Sequence, residues 1–285
     1  VRTIRGRKAL VTGAASGIGR GIALSLAREG ADLYLWDVNE TGLDTVAEEA
    51  RAFGVRVTSD KVDLLKPNEI SAAIRLMLER FETVDILVNN AGVCYYGPTH
   101  RMSADQWDWL IGINLLAPIQ IARELLPTLL ERPEAHILNV CSISGLVAGG
   151  RFSAYHTSKF GLIGFSEALR AEYGRRGLGV TALCPGPVMT NLYNDCATGK
   201  KNKVVPKPPK FLCTTVDAIA SRAIKAIRRN QRMPIIGLMA HLLWNAKWLA
   251  PGLLDFLNHF RLKRREKPND DQSEKTETID TRRVA

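Results

Sequence analysis

Ser142, Tyr155 and Lys159 are side chains of the right types to move a proton. Tyr155 and Lys159 stand four apart in YHTSK, so on a helix they share a face about one turn from each other. A free phenol titrates near about 10, too high for an efficient base at neutral pH. An ammonium one turn away would favour the phenolate, so the tyrosine could take a proton from an alcohol or return it to a carbonyl. Ser142 lies 13 residues before Tyr155, at the end of the run HILNVCS, and would hold the reacting oxygen as charge develops on it. A Tyr–Lys pair alone is also ordinary helix-surface chemistry, so a reaction needs a partner elsewhere in the chain.

That partner is a dinucleotide. The run KALV leads into Thr12-Gly13-Ala14-Ala15-Ser16-Gly17-Ile18-Gly19, followed by a helical pattern. Glycines at 13, 17 and 19 let the backbone turn tightly beside a pyrophosphate, with Ser16 and Ile18 between them. The new helix offers free N–H groups and a positive end. The spacing is G-x-x-x-G-x-G, not the commoner G-x-G-x-x-G. Asp37, 24 residues after Gly13, closes the second apolar run, where a carboxylate would accept from the adenosine ribose hydroxyls. It would repel a 2′-phosphate, and neither Ser16 nor Val38 offsets it, so NAD is expected over NADP. The rival reading makes Asp37 the cap of the helix over 40–53. Asp63 in KVDLL is expected to accept from the adenine amino group while Leu64 offers a backbone contact; helix capping is its rival. Asn90, Ala91 and Gly92 in NNAG would let backbone groups pass close to the cofactor. Lys159 would also grip the nicotinamide ribose, and Tyr155 would sit beside the ring.

These motifs fall at the ends of short apolar runs. Strands are expected over 8–12, 31–37, 55–63, 84–90, 136–142, 178–186 and 233–237. Helices are expected over 18–29, 40–53, 67–81, 103–111, 114–131, 153–173 and 215–229. Strand then helix, repeated, implies an α/β fold: a Rossmann-like, doubly wound parallel sheet of about seven strands with helices on both faces. Ligands of such sheets bind beyond the carboxyl ends of the strands, where all the motifs above lie.

TGAASGIG, NNAG, Ser142, YHTSK and PGPV stand in the order and at about the spacing of the short-chain dehydrogenase/reductase superfamily. The chain is similar to its common single-domain form from residue 7 to about 236. The resemblance implies that Asn114 distorts the central helix and holds a water linking Lys159 to solvent, with a helix cap as the plainer reading. It implies that Pro185, Gly186 and Val188 form the turn beside the nicotinamide, and that Thr190 contacts its carboxamide. It also implies a homo-oligomer, dimer or tetramer. Two positions depart from the pattern: His156, expected to face solvent or the cleft without catalysing, and Cys141, expected to pack in a strand.

The 285 residues, 46% hydrophobic and 24% charged, suit a globular protein with room for a large core. Net charge is +10, and 200–232 holds ten Lys or Arg against Asp217 alone. Such a run could meet nucleic acid or an anionic membrane, but it lies in a proline-rich stretch without interleaved aromatics, so nucleic acid is not expected. The cysteines are odd in number and form no C-x-x-C, which argues against zinc or a disulfide framework and suits a reducing compartment. A cytoplasmic location follows as the expectation, with no 18-residue apolar run to span a membrane.

Three regions are expected: a catalytic domain over 1–237, an appended apolar helical segment over 238–262, and a polar tail over 263–285. The long loop 192–213 should cover the substrate. Leu242, Leu243, Trp244, Trp248 and Leu249, continued by Leu253, Leu254, Phe256 and Leu257, mark an apolar face. It either docks over the site mouth or a subunit interface, or lies peripherally on a membrane. Both readings favour a bulky, apolar alcohol or ketone as substrate. The alternatives are a 3-oxoacyl reductase using NADPH, and a dinucleotide-binding sensor or scaffold without turnover.

Overall fold

A computed structural model of the chain describes residues 1–190, 192, 195–198, 205–250 and 252. Its strands are β1 (Lys8–Thr12), β2 (Asp32–Asp37), β3 (Val57–Lys61), β4 (Ile86–Asn89), β5 (Tyr95–Tyr96), β6 (Ala135–Val140), β7 (Leu178–Pro185), β8 (Ala197–Thr198) and β9 (Ile235–Ile236). Between them run α1 (Gly17–Arg28), α2 (Glu40–Arg51), α3 (Pro67–Phe81), α4 (Ala104–Ile111), α5 (Ala117–Leu130), α6 (Ser153–Tyr173), α7 (Val216–Arg229) and α8 (Leu238–Leu249).

Seven strands form one parallel sheet in the order β3-β2-β1-β4-β6-β7-β9. The fold is the expected Rossmann-like α/β arrangement. The apolar stripes of the helices bury both of its faces. Ile22 and Leu26 of α1, Leu43 and Val46 of α2, and Ile219 and Ile227 of α7 pack on one side. Ile70 and Met77 of α3 and Ile121 and Leu125 of α5 pack on the other. Strands covered twice need apolar residues on both faces, and β6 and β7 are buried at every position.

The chain runs from β1 outward to β3 and then returns to β4 on the other side of β1. That reversal opens a crevice at the carboxyl ends of β1 and β4, where the Gly-rich turn and NNAG begin.

Three expectations need correction. The two helices expected over 103–111 and 114–131 are one continuous rod, α4 and α5 joined by a π-helical turn at Gly112–Leu116. β3 ends at Lys61, so Asp63 lies two residues beyond the strand it was expected to close. A two-stranded parallel ribbon, β5 with β8, was not foreseen; runs of two residues carry no readable periodicity.

The rod Ala104–Leu130 is long and apolar enough to cross a membrane, yet half of its most apolar window is buried inside the fold, as befits a core helix. Four of the ten basic residues of the run over 200–232 are also explained. α7 buries Ile219, Ala223 and Ile227, which leaves Arg222, Lys225, Arg228 and Arg229 off its core face, with Arg228 paired to Glu29 at 2.5 Å. Lys200, Lys201, Lys203 and residues 253–285, including the tail, lie outside the described residues.

Candidate active site

The Gly-rich turn joins β1 to α1. Gly13 takes a φ of +64°, and a Cβ there would lie 2.7 Å from the Ala91 Cα. At Gly19 a Cβ would lie 2.0 Å from the Gly13 carbonyl oxygen, so only glycine lets the turn fold this tightly. Ser16, the N-cap of α1, makes no side-chain bond to the first turn, and that turn carries no acidic residue. Its free amides and positive end suit a pyrophosphate.

NNAG is fastened to this turn. Asn90 donates through Nδ2 to the Thr12 and Gly13 carbonyls, both at 3.0 Å, and the Thr12 hydroxyl accepts from the amides of Asn90 and Ala91 at 3.0 and 3.2 Å. Thr12 therefore clamps β4 to β1, a role that only the fold reveals. Thr190 reaches over from beyond β7: a Cβ on Gly17 would lie 3.4 Å from its methyl group. Pro185 ends β7, Gly186 donates its N–H to the Ile236 carbonyl, and Val188 bridges to Thr214.

Asp37 ends β2. Its oxygens accept from the amides of Ala15 (2.9 Å) and Asn39 (3.0 Å), while burial raises its pKa above the usual carboxylate range. Asn39, not Asp37, caps α2, which removes the rival reading of Asp37. The Asp63 carboxylate accepts from Leu65 N–H at 3.0 Å and sits 3.5 Å from the Lys66 ammonium at the start of α3, while the Leu64 side chain is buried in the core. Asp63 thus forms a local turn and does not cap α3, whose N-cap is Lys66 without a side-chain bond.

Tyr155 and Lys159 occupy the first turns of α6. The Lys159 Nζ lies 5.7 Å from the Tyr155 ring centroid and donates to the Val140 carbonyl at 3.0 Å, at the end of β6. It is fully enclosed, and burial lowers its pKa. A Cβ on Gly92 would lie 3.6 Å from that nitrogen, so NNAG and the lysine meet.

Asn114 sits in the π-helical turn. It accepts from the Val93 N–H at 2.7 Å and donates to the Val93 carbonyl at 2.9 Å, with Ser158 Oγ 3.3 Å from its Nδ2. The extra residue in that turn aims the amide at the segment following NNAG. The helix distortion expected at Asn114 is present. Cys141 is buried, its thiol pushed up to about 12 by burial, as expected of a packing residue.

Ser142 follows β6, and its Oγ accepts from the Ser144 amide at 3.1 Å, which leaves the hydroxyl hydrogen to donate elsewhere. The next turn is held by a residue whose part was not legible. His156, expected to face solvent or the cleft, is held on both ring nitrogens. Its Nε2 accepts from Gly149 N–H at 3.0 Å, so Nδ1 carries the hydrogen and donates to the Ser144 carbonyl at 2.8 Å. One residue, Ser144, therefore links His156 to the Ser142 hydroxyl through its N–H and its carbonyl. A histidine beside the tyrosine, with a Gly-Gly pair a few residues after the serine, was the available signal.

Tyr155 also packs against an apolar cluster. Cys94, Tyr96, Cys196 and Val205 cluster there, with Phe152, Leu192 and Tyr155 packed against them. The arrangement brings an alcohol-sized acid/base pair, a serine donor and a pyrophosphate-ready turn to one end of one sheet.

Such a sheet and site define a nicotinamide-dinucleotide oxidoreductase. The short chain dehydrogenase family profile matches residues 7–201, and the chain belongs to that family. It is 37% identical over 195 residues to Oxidoreductase UcpA of Escherichia coli (strain K12), covering 68% of this chain and 74% of that protein. A short chain dehydrogenase/reductase from Burkholderia phymatum, solved in complex with NAD, superposes with a TM-score of 0.75 at 26% identity, covering 96% of this chain and 100% of that one. A short-chain dehydrogenase from Sphingobium yanoikuyae, in complex with NADPH, gives 0.73 at 26% identity over 94% and 100%.

Proposed function

We propose that the chain oxidises a secondary alcohol, or reduces the matching ketone, with NAD(H) as the partner and a bulky, apolar substrate. The observation that carries this reading is the placement of Tyr155 beside the buried Lys159 and against the apolar cluster of Cys94, Tyr96, Cys196 and Val205. Gly13, Ser16, Gly17, Ile18 and Gly19 would hold the pyrophosphate. Asn90, Ala91 and Gly92, with Pro185, Gly186, Val188 and Thr190, would flank the nicotinamide half. The cofactor supplies the hydride acceptor or donor. Tyr155 takes or returns the hydroxyl proton, and Ser142 donates to the substrate oxygen as its charge changes. Lys159, held by the Val140 carbonyl, biases the phenol toward its anion. Tyr155→Phe should lower turnover by about 1,000-fold or more with NADH binding nearly unchanged. Turnover within about tenfold of wild type would sink the assignment.

NAD is favoured over NADP by Asp37. The residue paired with it on β3, Lys61, is already engaged with Glu40 at 3.0 Å and does not offset the carboxylate. The unmodified chain should show at least about tenfold higher kcat/KM with NAD(H). Asp37→Ser should narrow that gap; equal efficiency of the two cofactors in the unmodified chain overturns the preference.

A further inference from the structure

The apolar cluster beside Tyr155 contains two thiols that the acid/base chemistry does not use. Cys94 follows NNAG-Val93, and Cys196 lies in the loop after β7. Each is nearly enclosed, at 6% and 7% exposure. Their sulfurs are 2.9 Å apart, although the residues are 102 positions apart in the chain.

The ribbon explains why they meet. β5 and β8 are parallel with Tyr95 opposite Ala197 and Tyr96 opposite Thr198. One step back in that register puts Cys94 opposite Cys196, and the Ala197 amide donates to the Cys94 carbonyl at 2.9 Å. Neighbouring strands are about 4.8 Å apart, within the range of about 4.4–6.8 Å between Cα atoms that a disulfide requires. Residues opposite each other also point their side chains to the same face. The backbone is therefore already placed for the bond.

Both ends of the pair are anchored to catalytic parts. Val93, next to Cys94, is gripped on its N–H and its carbonyl by Asn114. Cys196 packs in one apolar cluster with Leu192, Phe152 and Tyr155.

We propose that Cys94 and Cys196 form a reversible disulfide that fastens the loop after β7 to the segment after NNAG and so acts as a brake on substrate exchange. The brake rests on the Tyr155 chemistry proposed above; the disulfide does not. With a peroxide as oxidant, one thiolate attacks the O–O bond and becomes a sulfenic acid as water leaves. The second sulfur then displaces the sulfenic hydroxyl as a second water. Two thiols and one peroxide thus yield one disulfide and two waters. The neighbouring Cys196 thiol and burial raise the Cys94 pKa, so Cys94 forms its thiolate, and reacts as the attacking sulfur, more readily as pH rises.

The full chain is treated with hydrogen peroxide or diamide, its free thiols are alkylated, and intact mass, a non-reducing peptide map and turnover are measured. We expect two fewer alkylated thiols than in the untreated chain, with the Cys94 and Cys196 peptides joined. Turnover should fall at least about tenfold and return with dithiothreitol. Cys94→Ser and Cys196→Ser, each compared with its own untreated activity, should lose both the link and the reversible fall. Absence of the 94–196 link, or its replacement by a Cys213-linked dimer, overturns the disulfide. A complete link with turnover unchanged overturns the brake. If no alcohol or ketone is turned over by the untreated chain, the proposed reaction fails, while the mass and the peptide map still decide the disulfide.

Discussion

At the scale of the residue, the proton chemistry depends on side chains that hold other side chains. His156 is an example. Its neutral ring spends one nitrogen on Gly149 and the other on Ser144, and Ser144 in turn donates to Ser142. Burial lowers the imidazole pKa, opposed by the bond to the Ser144 carbonyl, so the ring is neutral at physiological pH. Protonation would remove the lone pair that accepts from Gly149. His156→Ala should lower kcat by up to about 30-fold, on the basis of about 1 kcal/mol for each of its two lost hydrogen bonds. Cofactor affinity should change little. His156→Asn can still donate to Ser144 and should recover much of the loss. Steady-state kcat and NADH titration separate these outcomes; equal loss in both variants would assign His156 to packing alone. In the unmodified chain, kcat should also fall at acid pH as the ring protonates, and His156→Asn should lack that limb.

At the scale of the element, the π-helical turn at Gly112–Leu116 is the feature on which the site hangs. A regular helix would carry residue 114 away from the Val93 segment. The extra residue lets Asn114 satisfy both backbone groups of Val93 in a fully enclosed place. Asn114→Ala leaves a buried amide and a buried carbonyl without that partner, at a cost of about 3 kcal/mol. Thermal unfolding should register the loss, and turnover should drop because Cys94 and NNAG lose their brace. An unchanged midpoint would contradict this account. The element expectations failed for a related reason. A helix interrupted by one π turn reads in sequence as two helices, since the apolar period slips there. The β5–β8 ribbon is too short to show alternation and is created by loops from distant parts of the chain.

At the scale of the whole molecule, α8 is both attached and exposed. Ala240, Leu243 and Trp244 pack into the cluster containing Ile143 and Leu146, and Lys247 donates to the Leu146 carbonyl while lying 5.0 Å from the Phe160 ring centroid. The segment thus docks beside the turn that follows Ser142. Its other side leaves Leu242, Trp248 and Leu249 at 57%, 69% and 86% exposure. We expect this rim to contact an anionic membrane surface: the full chain should co-sediment with phosphatidylserine vesicles at low salt. The double substitution Leu242→Ser and Trp248→Ser should weaken that several-fold, by about 1–2 kcal/mol of lost apolar burial. Absence of sedimentation would assign the rim to another partner, and sedimentation velocity would then test a second copy of the chain.

The sequence by itself determined the sheet class, the order of the motifs and the residues at the strand ends. Those are local matters: apolar period, tight glycine turns, and a Tyr–Lys spacing that works only on a helix. Tertiary structure alone decided which polar groups serve which. Asp63 turned inward to Leu65 and Lys66, Asn39 took the cap that Asp37 might have held, and His156 tied down the turn behind Ser142. It also brought Cys94 and Cys196 together across 102 positions. Partnerships of this kind depend on where whole elements settle when they bury their apolar faces, and no local pattern encodes that position.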